Sequence, residues 1–510
     1  MLNQIFKNRY TQILILIFAL AIILRFLYFP QNIYFGFDQA RDAFAVMDIL
    51  GGDLRVVGPP TSYQSFNHGV LYYYIYAPFY LFSGGDPSVV SVFLRVLNAL
   101  GIFLVYLIAS TMFGRATGLV ASFLFAISYE QTQFSLFLNH PSFVVISVLI
   151  FYLGLVYWIF RDKIWGLYLA LFGLGLSIQF EFVENQLILV FILLLLFFKN
   201  HLPKFSIKLF LFAFISFFIP VSTYVVSEIK AGFDIGLKFS IFLSQQASEN
   251  SVREIAFNIL NLMNRSFTDN FIAIPIGAAI LGFGTLMLAF KFLFKRNYRD
   301  KIKFLLIWFL GGFIFFLIVV NDAYFYNTGT SVALLILMAF LLTRVFIWKR
   351  WVSVIFLSLI IISNLYLITK NNPLGPNVTI NPQKGLLLKD EEKVLDFIYE
   401  KAEGKDFSVN AITMPFNVNT TWSYLFEWYG FKEFGYLPIW GGDGAGGYPG
   451  NLKIERARSK LPEKRFLIIE PTQGIPQYLI DNFLKNESIF NEFTESKQIG
   501  TITVWVQKSK

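Results

Sequence analysis

Long uncharged runs separated by short basic clusters fill most of the chain up to about residue 370. Uncharged runs of about 17 to 25 residues have the length a helix needs to cross roughly 30 Å of hydrocarbon. The pattern predicts spans near 11–29, 88–112, 116–130, 141–160, 164–180, 185–198, 207–227, 271–290, 304–320, 329–347 and 351–369. That is about eleven crossings. The first run follows Lys7 and Arg9 as a signal peptide would. It is too long for one, lacks a small-residue cleavage site and runs into Tyr28, Phe29 and Tyr34, so it reads as a retained span. A shorter apolar-aromatic run, 70–82, is expected to lie in the membrane interface.

Beyond Lys370 the periodicity changes. Residues 371–510 carry charges throughout and contain no candidate span. Strand-like runs at 407–413, 465–470 and 501–507 alternate with helix-like runs at 391–402, 420–429 and 476–485, which predicts a small soluble α/β domain. The expected fold class is a polytopic α-helical membrane protein: a transmembrane domain, 1–370, followed by that soluble domain, 371–510. Loops 30–87 and 228–270 are too long for simple turns, and loops of that length carry function.

Charge then orients the spans. Arg115, Arg161, Lys163, Lys199, Lys204, Lys208, the basic run from Lys291 to Lys303, and Arg344, Lys349 and Arg350 all fall on one side, whereas loops 131–140, 181–184 and 321–328 hold no Lys or Arg. The positive-inside rule puts the N-terminus in the cytoplasm and the C-terminal domain outside a cell membrane. The charge of +9 is therefore a topology signal and not a nucleic-acid surface. Composition agrees, with 56% hydrophobic and 15% charged residues. The absence of cysteine excludes disulfides, thiolate metal sites and cysteine nucleophiles. Three histidines argue against a His-rich metal site.

Ionisable groups retained near membrane depth are costly and so are candidates for function. Just after the first span stands Tyr34-Phe-Gly-Phe-Asp38-Gln-Ala-Arg41-Asp42. On a helix Asp38, Arg41 and Asp42 share one face. The competing reading is an amphipathic helix with its charges in water.

An Asp in the first outer loop resembles the GT-C membrane glycosyltransferases, in particular the protein O-mannosyltransferase and aminoarabinose-transferase (PMT/ArnT-like) branch. The likeness continues in order through Arg25, Asp38-Gln-Ala-Arg41, Asn67-His-Gly-Val-Leu-Tyr-Tyr-Tyr, Arg95-Val-Leu-Asn-Ala-Leu-Gly and Phe113-Gly-Arg115. It covers about 1–370 in layout and does not extend to the tail. The resemblance implies a hexosyl- or pentosyltransferase with a polyprenyl-phosphate sugar donor. A glycan, lipid or protein acceptor would attack C1 with inversion on the outer face, among membrane lipids and without nucleic acid. It implies Asp38 as the base and Arg41, Arg95, His68 and Arg25 as ligands of the donor phosphate. Asp42, Asn67, Glu130, His140, Glu181, Tyr324 and Tyr326 would support them.

Each cation also has a structural reading: Arg25 snorkels, Arg41 pairs with Asp38 or Asp42, and Arg95 anchors its helix. His68 stands where some members have Lys, so a phosphate contact there depends on protonation. Many members carry a second-loop carboxylate where this chain has Leu138-Asn139-His140-Pro141, with Glu130 ten residues earlier and Glu181 as a substitute acid. The resemblance makes no cofactor certain; it leaves room for a divalent metal, for which the sequence shows no clear ligand set. Asp322, Tyr324 and Tyr326 sit where the family places a Tyr near the donor, and an aromatic belt explains the tyrosines equally well.

In the tail, the glycine-rich stretch 441–447 lacks the ending of a P-loop and reads as a flexible loop. Trp422, Trp428 and Trp440 read as core sooner than as a sugar platform. The alternative function is a multi-pass transporter or flippase. Against it stand mid-span positions almost free of ionisable groups and the lack of repeated halves. An oligosaccharide ligase or an external receptor explains the Asp38 loop less well.

Overall fold

The computed structural model describes residues 8–61, 66–232, 236, 238, 251–320, 323–377, 383–444 and 446–510. The helices, in chain order, are α1 (Arg9–Phe26), α2 (Phe37–Leu50), α3 (Leu71–Ser83), α4 (Pro87–Phe113), α5 (Arg115–Ile127), α6 (Tyr129–Leu136), α7 (Pro141–Arg161), α8 (Ile164–Phe180), α9 (Gln186–Phe197), α10 (Ile207–Ala231), α11 (Val252–Thr268), α12 (Pro275–Phe292), α13 (Arg296–Gly311), α14 (Thr330–Trp348) and α15 (Arg350–Asn371).

Each expected span falls on one of these helices. Among the described residues, seven helices are long and apolar enough to cross a bilayer, α1, α4, α7, α10, α12, α14 and α15, while α5, α8 and the segment of α9 are shorter apolar helices. Near 304–320, α13 ends early at Gly311 and gives way to a tight turn, Phe315–Leu317. The chain is an integral membrane protein. On α10, Phe210, Phe214 and Phe218 are all exposed, a stacked apolar stripe that water would not tolerate and lipid does. By contrast, α14 is buried all round from Thr330 to Leu342 and forms the middle of the bundle.

Local chemistry explains the helix ends and the close packing. Asp86 accepts from Ser88 N at 2.7 Å and Pro87 opens α4, a capped start for the longest helix. Between α7 and α8, a Cβ on Gly154 would lie 2.4 Å from Ala170 N, so glycine is what lets the two backbones touch.

Segment 70–82 is helical. It forms α3, which buries Tyr72, Tyr73, Tyr76 and Tyr80 against the bundle and leaves its end, Leu81 and Phe82, exposed. Its tyrosine face packs on the bundle, with Tyr73 donating to Asp42 at 3.1 Å.

The tail holds α16 (Leu388–Ala402), α17 (Thr420–Leu425) and α18 (Gln477–Phe490) around a five-stranded sheet. Its strands are β1 (Phe407–Ile412), β2 (Ile439–Trp440), β3 (Lys464–Ile469), β4 (Asn491–Ile499) and β5 (Ile502–Ser509), in the order β2-β1-β3-β5-β4. β1 is parallel to β2 and β3, and β4 and β5 form an antiparallel edge hairpin. Trp422 and Trp440 are core residues, and Trp422 Nε1 donates to Glu470 at 2.9 Å.

The tail rests on the segment that follows α1 and on the turn before α4. Tyr424 packs on Phe35 and Phe44 and donates to the Gly85 carbonyl at 2.5 Å, while Tyr448 meets Phe37 edge-on.

Candidate active site

The chain leaving α1 is held before it reaches α2. Asn32 Nδ2 donates to the Asn372 carbonyl at 2.9 Å and Asn32 Oδ1 accepts from Arg95 at 2.9 Å. Leu388 N bonds the Ile33 carbonyl. At the start of α2, the Gln39 side chain accepts from Gly36 N at 3.1 Å and donates to the Leu138 carbonyl at 3.1 Å. One amide thus caps the helix and ties it to the loop that carries His140.

This places Asp38 and Arg41 at a cavity of about 220 Å³, with Tyr34, His68, His140 and Tyr326 also on its wall. Arg41 bonds Asp38 at 2.6 Å and Asp42 at 2.7 and 2.9 Å. The two acids are not equivalent: the Asp38 side chain is 36% exposed and that of Asp42 is 4% exposed. Burial pushes the Asp42 carboxyl up to about 6 against the pull of Arg41, and Tyr73 donates to it at 3.1 Å. Asp42 therefore holds Arg41 from behind while Asp38 faces the open side.

Opposite stand His68, His140 and Glu181, which α8 delivers at its end. Gly69 N bonds the Gln179 carbonyl at 3.0 Å, and a Cβ on Gly69 would come within 1.8 Å of the Gln179 side chain. Only glycine lets the His68 segment lie against α8 so closely. Burial drives His68 down to about 3, and burial aided by His68 and Arg41 drives His140 well below the ordinary histidine range. Both rings are neutral, so His68 as it stands offers no charge to a phosphate.

Two of the expected phosphate ligands are spent elsewhere. Arg25 donates to Asn98 at 2.7 Å and to the carbonyls of Ala21, Phe125 and Ala126. Arg95 donates to the Arg25 carbonyl, Asn32 and Ser91 and lies over the rings of Phe26 and Phe29. Both are fully buried helix clamps away from the cavity, because main-chain carbonyls freed at helix ends attract guanidinium donors.

Glu130 also lies apart, bonded by Asn270 at 3.0 Å and by Ser331. Asn67 lines a neighbouring apolar groove of about 220 Å³ with Phe66, Phe182, Phe217 and Val221. The Tyr324 side chain and Asp322 lie outside the described residues. Sequence reasoning passed over Gln39 and the inward tyrosines of α3, and a polar residue beside Asp38 was the signal available.

The overall fold recurs in solved structures. ArnT from Cupriavidus metallidurans bound to undecaprenyl phosphate superposes with a TM-score of 0.61 at 12% identity, over 96% of this chain and 97% of that one. Its apo state gives 0.63 at 12% identity, over 98% of both chains. The fold is that of the GT-C glycosyltransferases. The arabinofuranosyltransferase AftD from Mycobacteria shares this GT-C fold with a TM-score of 0.51 at 11% identity, over 98% of this chain and 40% of its own. Within the sequence, residues 67–224 match the family described as dolichyl-phosphate-mannose-protein mannosyltransferase. No curated protein sequence matches the chain.

Proposed function

We propose that the protein is a membrane glycosyltransferase that moves a sugar from a polyprenyl-phosphate donor to a glycan, lipid or protein acceptor on the outer face of the membrane. The observation that carries this reading is the unequal pair of acids on Arg41, with the accessible one, Asp38, at the cavity. Asp38 takes the proton of the acceptor hydroxyl as its oxygen bonds to C1 of the sugar. The C1–O bond to phosphate breaks on the opposite side, inverting C1, and the lipid phosphate leaves with the electron pair. Arg41 meets the growing phosphate charge by charge-assisted hydrogen bonds.

Two further features support it. The apolar groove holding Phe66 and Asn67 adjoins His68 in the chain and suits a prenyl tail whose phosphate reaches the cavity. ArnT, the GT-C relative in fold, was solved with undecaprenyl phosphate. In this reading 1–370 is the catalytic domain, the N-terminus is cytoplasmic, and 371–510 is an extracytoplasmic domain over the Asp38 loop.

The test is transfer by purified protein in liposomes from a panel of radiolabelled polyprenyl-phosphate sugars, hexoses and pentoses, into lipid, glycan and protein fractions. Label moving from one donor into one fraction supports the reading. Donor carried across the bilayer intact, with no sugar transferred, would favour a flippase instead.

A further inference from the structure

His68 Nδ1 lies 3.4 Å from Glu181 Oε1 and His140 Nδ1 lies 3.6 Å from Glu181 Oε2, with the imidazole centroids 4.1 Å apart. One ligand atom from each of the three residues falls within 4.8 Å of the others. Four-coordinate zinc with bonds of about 2.0 to 2.1 Å spaces its ligand atoms by about 3.3 Å, so the observed separations need only a small inward movement.

All three side chains are buried: Glu181 is 0% exposed, His140 6% and His68 7%. Among the described residues, His140 Nδ1 and both Glu181 oxygens lack a well-formed hydrogen bond, although the Phe182 and Val183 N–H groups point toward the Glu181 carboxylate. His68 Nδ1 has one competitor, the Phe182 N–H, at a long 3.4 Å. A buried carboxylate needs a positive partner, and the guanidinium at this cavity, Arg41, is already shared between Asp38 and Asp42. Protons on Glu181 or on the imidazole Nδ1 atoms bridge these groups only across 3.4 and 3.6 Å, longer than ordinary hydrogen bonds. A cation satisfies all three groups at once.

We propose that His68, His140 and Glu181 bind one divalent transition-metal ion, with Zn²⁺ favoured by the two-nitrogen, one-carboxylate donor set, at the wall of the Asp38 cavity. Three protein ligands leave a coordination position free, and both histidines line the cavity. On the glycosyl-transfer reading, that position takes an oxygen of the departing phosphate and adds a second positive charge to that of Arg41.

The test counts metal and needs neither donor nor acceptor, so its failure is separate from failure of the transferase reading. Full-length protein in detergent is stripped with chelator, equilibrated with Zn²⁺ alone or Mn²⁺ alone, desalted and analysed by mass spectrometry of the elements. About one Zn²⁺ per chain is expected in wild type and in Asp38→Asn, with affinity lowered by about 100-fold or more in Glu181→Gln and in His140→Ala, since losing a ligand costs more than losing an outer-sphere partner. Zinc should raise the melting temperature of wild type and not of Glu181→Gln. X-ray absorption on zinc-loaded wild type should show two imidazoles, a readout that stands even if a variant misfolds. Wild type free of zinc, zinc retained at full affinity by Glu181→Gln, or a spectrum without imidazole would overturn the proposal.

Discussion

Arg41 reaches Asp42 through two nitrogens, Nε at 2.9 Å and Nη2 at 2.7 Å, and both bonds end on the same oxygen, Oδ1. The guanidinium is thereby fixed in plane, with Nη1 left to hold Asp38 at 2.6 Å. An Arg held this way is pre-organised for a phosphate in a way that Lys is not.

Arg41→Lys should therefore lower the rate of sugar transfer by about 10²-fold while leaving the protein folded, as removal of a single oriented donor does elsewhere. Steady-state kinetics at saturating donor, with a melting curve alongside, check it.

Acid should act through the same pair. Asp42 titrates near 6, where burial has pushed it. Below that pH the carboxyl is protonated, loses its charge and releases Arg41; above it the pair is intact. Activity should fall on the acid side with an apparent pKa near 6, and Asp42→Asn should be slow at all pH values and lack that limb. A pH–rate profile of both proteins decides.

Arg25 and Arg95 mark where sequence reading stops. The apolar runs were legible because span length and charge exclusion are local properties, and the i, i+3, i+4 spacing of Asp38, Arg41 and Asp42 anticipated their shared face. Whether an Arg near a helix end meets a ligand or a carbonyl depends on residues far along the chain, such as Asn98 for Arg25 and Asn32 for Arg95. Glu181 reaches His68 across 113 positions by helix packing alone. β4 escaped notice because Glu492, Glu495 and Lys497 break any apolar alternation, as suits an exposed edge strand.

Arg95→Met should accordingly be a stability variant. It orphans Asn32 Oδ1 and the Arg25 carbonyl, at about 1 to 3 kcal/mol per buried acceptor. The melting temperature should drop, while kcat/KM per folded molecule stays within about threefold. A large loss of kcat at unchanged melting temperature would restore Arg95 to the phosphate site.

Filling the apolar groove should separate tail binding from chemistry. Val221→Trp is expected to raise KM about 10-fold for a long-chain prenyl donor, a loss of about 1.4 kcal/mol, with little change for a short-chain one. Paired kinetics with the two donors test this.

Docking of the tail on the loop should be sensitive to Tyr424. Tyr424→Ala removes a buried ring worth about 3 to 5 kcal/mol on truncation. Hydrogen exchange over α2 should then accelerate, and an unchanged exchange pattern would show that the contact with Phe35 and Phe44 does not hold α2 in place.

The most direct measurement compares wild type with Asp38→Asn for the release of polyprenyl phosphate coupled to sugar transfer in liposomes. A general base contributes about 10² to 10⁴ in rate, so the variant should lose that much while keeping its melting temperature and its affinity for the donor. Equal rates in the two proteins would contradict the assignment of Asp38 as the base and the mechanism built on it.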